Sequence, residues 1–486
     1  MAATLLLAAV CAAPRTDVGA VPAGAGALPC ATVFEALDRA VVEAGVQGGD
    51  VRAVPGLPYL TADRFLASFA GAATDADAFD VWVEHLRRRN LQRRAAELAR
   101  LGPRADGLSL ARLDGCGRRR AAAELGDAAA RRRLWAAVRV PDEYARVARI
   151  AGFYPFAVPF LRLGIGDYQR GVAADYARPL ADLDGPARRI AWGPAAASGP
   201  VPALAAVPRD RLGIPQLDAA QWAALARAHA PVWWVEQGGP YDLPGAPTWA
   251  GARPTVDPAR PDVYVHHDFT RFGAQVLPVL VYTIWFAERP PQTAHDPYAG
   301  ALDGLVWRVV LDPQGRPLLY DSIHPCGCFH YWYPAQPLTR RDADSLWREP
   351  ALVPQGQLPP NPAGGRWALR VASATHQLRR VLPADGIDGE RRDYRLRPYA
   401  ELTRLPDPRG GLRSLFGRDG LVAGSERGER WWLWVSGVPE PGAMRRRGRQ
   451  ATAFVGRQHF DDARVLEQVF EVPEAFRDPA LPAQLR

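Results

Sequence analysis

The chain of 486 residues contains no lysine. All 60 basic residues are arginine, and against 52 carboxylates they leave a formal net charge of +8. Methionine is confined to Met1 and Met444, and asparagine to Asn90 and Asn361. These three residue types share AT-leaning codons, so their scarcity marks a GC-rich genome. It also excludes chemistry. A P-loop nucleotide site needs a lysine on the phosphates, a PLP enzyme a Schiff-base lysine, and a protein kinase its ATP-pairing lysine. A Ser–Lys dyad is excluded too. No Gly-x-Ser-x-Gly nucleophile elbow occurs. No segment reaches the roughly 18 uninterrupted apolar residues of a membrane span.

What is present is globular in character, with 48% apolar and 23% charged residues. A chain this long normally divides into two or three domains. The arginine triplets at 87–89, 118–120 and 131–133 are interleaved with Ala, Leu and Glu at helical spacing. They read as solvated helix faces, and no nucleic-acid-binding module accompanies them, so nucleic acid is not the expected partner.

The first residues, MAATLLLAAVCAAP, have the shape of a short secretory leader without a basic start. Cys11 sits where a bacterial lipoprotein carries its lipid-accepting cysteine. A lipid there is the one membrane contact the sequence suggests, and export to the periplasm or to the outer membrane is the expectation. Of the other cysteines, Cys30–Cys116 plus a local Cys326–Cys328 bridge is the most economical pairing in an exported protein.

Residues 1–30 read as leader and linker. Residues 31–190 are mainly helical. Thr32 to Glu35 forms a capping-box pattern before the first helix, and a second helix is predicted from about 77 to 101. The stretch 191–215 is dense in Pro, Ala and Gly and marks a junction. Asp218 and Gln221 then cap one more helix. Beyond it the pattern turns to strands. The run 279–286 is apolar on both faces and predicts a central strand. Asp312-Pro-Gln-Gly315 predicts a hairpin turn between 305–311 and 317–323. Further strands are predicted at 366–372, 393–399, 430–436 and 451–456, with a short last helix near 461–470. The fold class is therefore α+β: a helical N-terminal domain, then a mostly antiparallel, sandwich-like β-rich domain over 216–486.

The densest group of reactive side chains is His324-Pro-Cys-Gly-Cys-Phe-His330. His324, Cys326, Cys328 and His330 alternate, so an extended chain would place all four on one face. Imidazole and thiolate are ligands that zinc and copper prefer, and Pro325 with Gly327 permits the bend that would gather them. His266 or His267 would complete a three-ligand zinc site with an open position, and metal-dependent hydrolysis is the least specific reaction to expect of it. Two other readings stay open: a Cys326–Cys328 disulfide, structural or redox-active, and inert thiols in an aromatic core. The Ser322 and Asp321 next to His324 cannot form a relay with it on adjacent alternating positions. Trp431, Trp432 and Trp434 either stack a ligand or fill a core. The charged segment 413–430 reads as an ion-pair network, a solvated loop or an anion pocket; in the last, Arg289 and Arg308 join Arg413.

The runs YTIWFAERP, AGALDGLVWRVVLD, PLLYDSIHPCGCFHYWYP, GLVAGSERGER and PGAMRRRGRQATAFVGRQHFDDA resemble an uncharacterised family of proteobacterial exported, lipoprotein-like proteins. The resemblance spans about residue 30 to the end. It implies a lipoprotein leader and carries no activity with it. A far weaker likeness is to the β-sandwich of necrosis-inducing proteins, on the order Trp285, Asp303, Trp307, Ser322, His324. The His-Asp-Trp-Glu cluster central to that family is missing. A non-enzymatic surface or binding module of the cell envelope is the alternative to a metal enzyme.

Overall fold

The computed structural model describes residues 29–477 apart from 49–52, 73–74, 184–187, 196–199, 342–344 and 360–364. The leader with Cys11 lies outside these residues.

Helices α1 (Val33–Glu43), α2 (Ala76–Leu101), α3 (Leu110–Glu124) and α4 (Ala128–Ala137) come first. Their apolar stripes, with Phe34, Leu37, Phe79, Trp82, Leu86 and Leu113, enclose one buried cluster. A disulfide between Cys30 and Cys116 ties the entry of α1 to α3. Two expectations are corrected here. Thr32 makes no side-chain cap on α1, because its own backbone is already helical in conformation. Nor are all the arginines solvated: Arg87 and Arg94 on α2 are buried, facing Glu84 and Asp114 in one case and Asp38 and Glu97 in the other.

Two further helices, α5 (Arg146–Ala151) and α6 (Tyr154–Ala177), leave that cluster and pack on the β-rich part. A capping box formed by Asp218 and Gln221, as expected, starts α7 (Ala219–Ala228).

Ten strands make one mixed sheet: β1 (Arg188–Pro194), β2 (Val232–Gln237), β3 (Asp262–Phe272), β4 (Gln275–Arg289), β5 (Gly300–Leu311), β6 (Pro317–Ile323), β7 (Tyr331–Pro334), β8 (Trp367–Val371), β9 (Leu378–Pro383) and β10 (Glu390–Pro398). Their spatial order is β7-β6-β5-β4-β3-β10-β1-β2-β8-β9. Most neighbours are antiparallel; β10 runs parallel to β1 and β3, and β2 parallel to β8. The fold class is α+β. Strand β1 overlaps the start of the expected junction.

Every strand contributes to a single buried cluster with Trp222 and Leu225 of α7. The sheet curls so far that its ends meet: Trp367 Nε1 on β8 donates to Tyr320 Oη on β6 at 2.9 Å. The seam between the edge strands β7 and β9 is spanned by α6. The Tyr176 hydroxyl lies 2.7 Å from that of Tyr333 and donates to the carbonyl of Leu378 at 2.9 Å. The opposite face of β3 to β7 packs against the C-terminal segment, with Phe460, Val465 and Phe470. The β5–β6 hairpin turns as predicted, with Asp312 accepting from the amides of Gln314 and Arg316.

Two predicted strands are not formed. Residues 430–433 are a short helix, α8 (Arg430–Leu433), followed by a 3-10 turn. Arg149 holds that turn by donating to the Ser436 carbonyl at 2.6 Å, and Gly437 ends it with φ +83°. Residues 451–456 run alongside side chains rather than strands. Tyr144 donates to the Ala453 carbonyl, and the Glu349 carboxylate accepts from the amides of Phe454 and Val455. Backbone groups satisfied in this way have no ladder to join.

Candidate functional site

The segment from His324 to His330 does not run extended. The amide of Gly327 donates to the His324 carbonyl at 2.8 Å, and the amide of His324 to the Cys328 carbonyl at 3.0 Å. Gly327 has φ +93°, and a Cβ there would lie 2.3 Å from the Ala451 carbonyl oxygen, so only glycine fits. This tight turn separates the four alternating side chains.

His324 turns into the core, where its Nδ1 lies 3.3 Å from Asp303 Oδ1. Asp303 also meets His376 Nδ1 at 2.8 Å, and His376 Nε2 approaches Asp242 at 3.3 Å. Burial alone would push Asp303 up and His376 down. The histidines on either side nevertheless hold Asp303 far below the usual carboxylate range, and the two carboxylates hold His376 above its ordinary value. Asp242 lies low as well: against the effect of burial, His376, the amides of Ala374 and Gly238 and the Ser373 hydroxyl hold its carboxylate.

Cys326, Cys328 and His330 face the other way, onto the wall of a cavity of about 500 Å³. The wall also includes Phe160, Leu161, Ile165 and Tyr168 of α6, Trp332 of β7 and Trp432 of α8, and a polar part with Arg341, Arg348, Glu349, Glu429 and Gln458. Both cysteines are free thiols, so the expected Cys326–Cys328 bridge is not formed. The Cys328 amide donates to Cys326 Sγ at 3.3 Å instead. Contact with the Cys326 thiol and burial push the Cys328 thiol up, and nearby Glu429 adds to this. Burial also raises Glu429 to about 7 and Glu349 to about 7, the latter despite two backbone amides on its carboxylate.

The His330 side chain is only 5% exposed, with its ring tilted against Trp332 at 4.1 Å. Burial lowers its pKa, so the imidazole is neutral at pH 7. Its Nε2 stops 3.7 Å from Asp321, and among the described residues neither ring nitrogen makes a well-formed hydrogen bond, although Asp321 and Gln458 lie close enough to offset part of the lowering by burial. Deeper in the same wall the hydroxyls of Tyr168 and Tyr331 are hydrogen-bonded to each other.

The other predicted ligands lie elsewhere. His266 and His267 point to opposite faces of β3: His267 stacks on Trp222 at 4.2 Å, and His266 packs on Tyr399 at 5.2 Å. The register runs His266, Val281, Arg308, Asp321 across four strands. Three strand spacings of about 4.8 Å put His266 about 14 Å from Asp321. His266 therefore cannot share an ion with the 324–330 turn, whose ligands would have to lie about 2 Å from it. Among the described residues no three His, Cys, Asp or Glu side chains converge as metal ligands would.

The three arginines of the expected anion pocket are likewise separate. Arg308 is spent on Asp321 in a buried pair under Phe460, Arg289 faces Asp296 at 3.8 Å, and Arg413 stacks on Trp249 at 3.6 Å. Within 413–430 the residues Ser425, Arg427 and Glu429 are buried rather than solvated, with Arg427 donating to the carbonyls of Ala301 and Leu302.

Sequence reasoning missed Glu349, Glu429, Tyr168 and the whole contribution of α6. The arginine neighbours of Glu429 disguised it as a surface charge, and nothing local marks the other two side chains. Comparison of the chain with protein-family models, curated proteins and solved structures finds no match.

Proposed function

We propose that this chain is an exported, envelope-associated binding protein for an apolar or amphipathic small molecule that carries one hydrogen-bonding group. The observation that supports the reading best is His330, whose neutral imidazole is 5% exposed and makes no well-formed hydrogen bond among the described residues, on the wall of a cavity that is more apolar than polar. Leaving a buried polar group unsatisfied costs about 1–3 kcal/mol. A ligand hydroxyl or carbonyl that reaches it recovers that cost. Concave cavities of a few hundred Å³ that combine apolar walls with placed polar groups are the usual form of small-molecule sites. The Cys30–Cys116 disulfide supports an oxidising compartment. Among the described residues no helix is long and apolar enough to cross a membrane.

The test uses the purified chain and diphenylhexatriene, an apolar fluorescent probe. Ala157→Trp, which fills the cavity from α6, is expected to abolish probe binding. Extraction of the untreated protein is expected to release an amphipathic molecule, and its retention is expected to weaken in His330→Phe. Probe binding that survives Ala157→Trp would defeat the proposal.

The competing reading is a soft-metal centre, zinc first, because Cys326, Cys328 and His330 share one wall. One equivalent of bound zinc, lost in Cys326→Ser/Cys328→Ser, would favour that centre and reopen metal-dependent hydrolysis.

A further inference from the structure

The helices α5 and α6 are amphipathic in the inverted sense. Every exposed residue from Val147 to Gly164 is apolar, and the set includes Val147, Ile150, Phe153, Phe156, Phe160 and Leu163. Phe156 and Phe160 are each 76% exposed. The two arginines in the same span point inward. Arg149 donates to the carbonyls of Ser436 and Gly456, both at 2.6 Å. Arg162 donates to those of Ser345 at 3.0 Å and Arg348 at 2.5 Å.

Each arginine fixes a neighbouring loop that adds to the apolar face. The loop held by Arg149 follows Trp432, which is 49% exposed and shares a cavity wall with Phe160, whereas Trp431 and Trp434 line a separate depression beside the N-terminal helices. The loop held by Arg162 carries exposed Leu346 and Trp347. An apolar face of this extent on a folded protein marks an interaction surface.

We infer that this face docks on an anionic phospholipid bilayer, with α5 and α6 lying in the interface plane. Three observations favour lipid over a protein partner. Protein interfaces carry about ten hydrogen bonds, whereas the exposed side chains from Val147 to Gly164 offer none. Tryptophans grouped beside aliphatic and phenylalanine side chains match the chemistry of the headgroup boundary. The approach to the face is cationic: exposed Arg139 and Arg146 precede it, while Asp142 and Asp167 are already paired with Arg457 and Arg170. The chain as a whole carries +8. Phe160 and Trp432 also line the cavity, so docking sets the cavity mouth against the bilayer. That consequence rests on the binding reading; the docking itself does not.

The test is flotation of the full chain with vesicles of phosphatidylethanolamine and phosphatidylglycerol. The chain carries Cys11→Ser, so that no lipid attached there contributes. The protein is expected to float. Phe156→Ser/Phe160→Ser, both at exposed positions, is expected to weaken vesicle binding at least about tenfold, since each ring withdrawn from an apolar phase is worth about a factor of ten or more. Trp347→Ser/Trp432→Ser, both at exposed positions, is expected to act in the same direction. Arg139→Gln/Arg146→Gln is expected to weaken binding to these vesicles and not to neutral ones. Thermal melts of each variant confirm folding. Failure of the parent to float overturns the inference. So does equal flotation of the Phe156→Ser/Phe160→Ser variant, which would place attachment elsewhere. A dimer that this variant dissociates, seen by light scattering without flotation, would assign the face to a second copy.

Discussion

His376 Nδ1 lies 2.8 Å from Asp303 Oδ2, and the two form the middle of a buried chain Asp242, His376, Asp303, His324. Asp303 is on β5, His376 follows β8 and His324 follows β6, so the chain stitches strands on opposite sides of the seam to the turn under the cavity. Two carboxylates flank the raised imidazole of His376, and removing Asp303 leaves that buried group short of a partner. Asp303→Ala is expected to cost about 3–5 kcal/mol in a urea unfolding titration. The sign of the pH dependence follows from the shifts. His376 is raised, so its contribution is full below about 6.5 and fades as pH rises through its higher folded value. Asp303 and Asp242 are depressed, so theirs is full above about 4 and fades as pH falls through their lower folded values. The gap between parent and Asp303→Ala is therefore largest between about pH 4 and 6.5 and narrows at alkaline pH. A gap that is flat up to pH 10 would remove His376 from the account.

Glu429 gives the opposite signature. Burial raises its carboxyl to about 7. The folded state therefore holds a proton that the unfolded chain gives up near 4.3, and stability is lost as pH climbs through that window. Glu429→Gln keeps the shape without the charge. It is expected to flatten the decline between pH 4.5 and 8, with a gain of order 3 kcal/mol at the upper end relative to the lower. Chemical denaturation at the two pH values checks this, and an unchanged slope would show that the Glu429 carboxyl titrates normally.

Much of the fold was legible because it is local. The 279–286 run is apolar on both faces and became β4; the Asp312 turn and the Asp218 capping box each bring their donors and acceptors within a few residues. The site was half legible. Alternation placed His324, Cys326, Cys328 and His330 on one face of an imagined strand. A single glycine, Gly327 at φ +93°, then split them between core and cavity. Nothing within the segment reports the carboxylate that captures His324, because Asp303 reaches it across the sheet. The Trp431 to Trp434 run misled because a strand pattern needs a partner strand. Here Arg149, almost 300 residues away in sequence, captures the following backbone first.

The Gly327 turn makes a sharp experiment. A side chain at 327 meets both a left-handed backbone and the Ala451 carbonyl at 2.3 Å. Gly356 has a similar φ of +69° with nothing within 4 Å, so Gly356→Ala measures the backbone cost alone, about 1–2 kcal/mol. Gly327→Ala is expected to lose more than that, at least about 2 kcal/mol beyond the control, because backbone has to move away from Ala451. It is also expected to weaken diphenylhexatriene binding, since Gly327 and Ala451 both line the cavity. Equal losses in the two variants would mean that the Ala451 contact does not constrain the turn.

Tyr176 tests whether α6 closes the barrel-like sheet or merely lies on it. Its hydroxyl accepts from Tyr333 on β7 and donates to Leu378 on β9, the two edge strands. The guanidinium of Arg380 sits over its ring at 4.8 Å. Tyr176→Phe keeps the ring and the cation contact and deletes only the bridge. With two polar partners left unsatisfied at the seam, the expected loss is about 1–3 kcal/mol. The more telling readout is where protection is lost. If α6 is the clasp, amide exchange in β7 and β9 should accelerate together while the β3–β4–β5 centre keeps its protection, because opening the seam exposes edges and leaves the middle paired. Acceleration in α6 alone would make the helix a passive lid, and the sheet would then hold its curl through the Trp367 to Tyr320 contact instead.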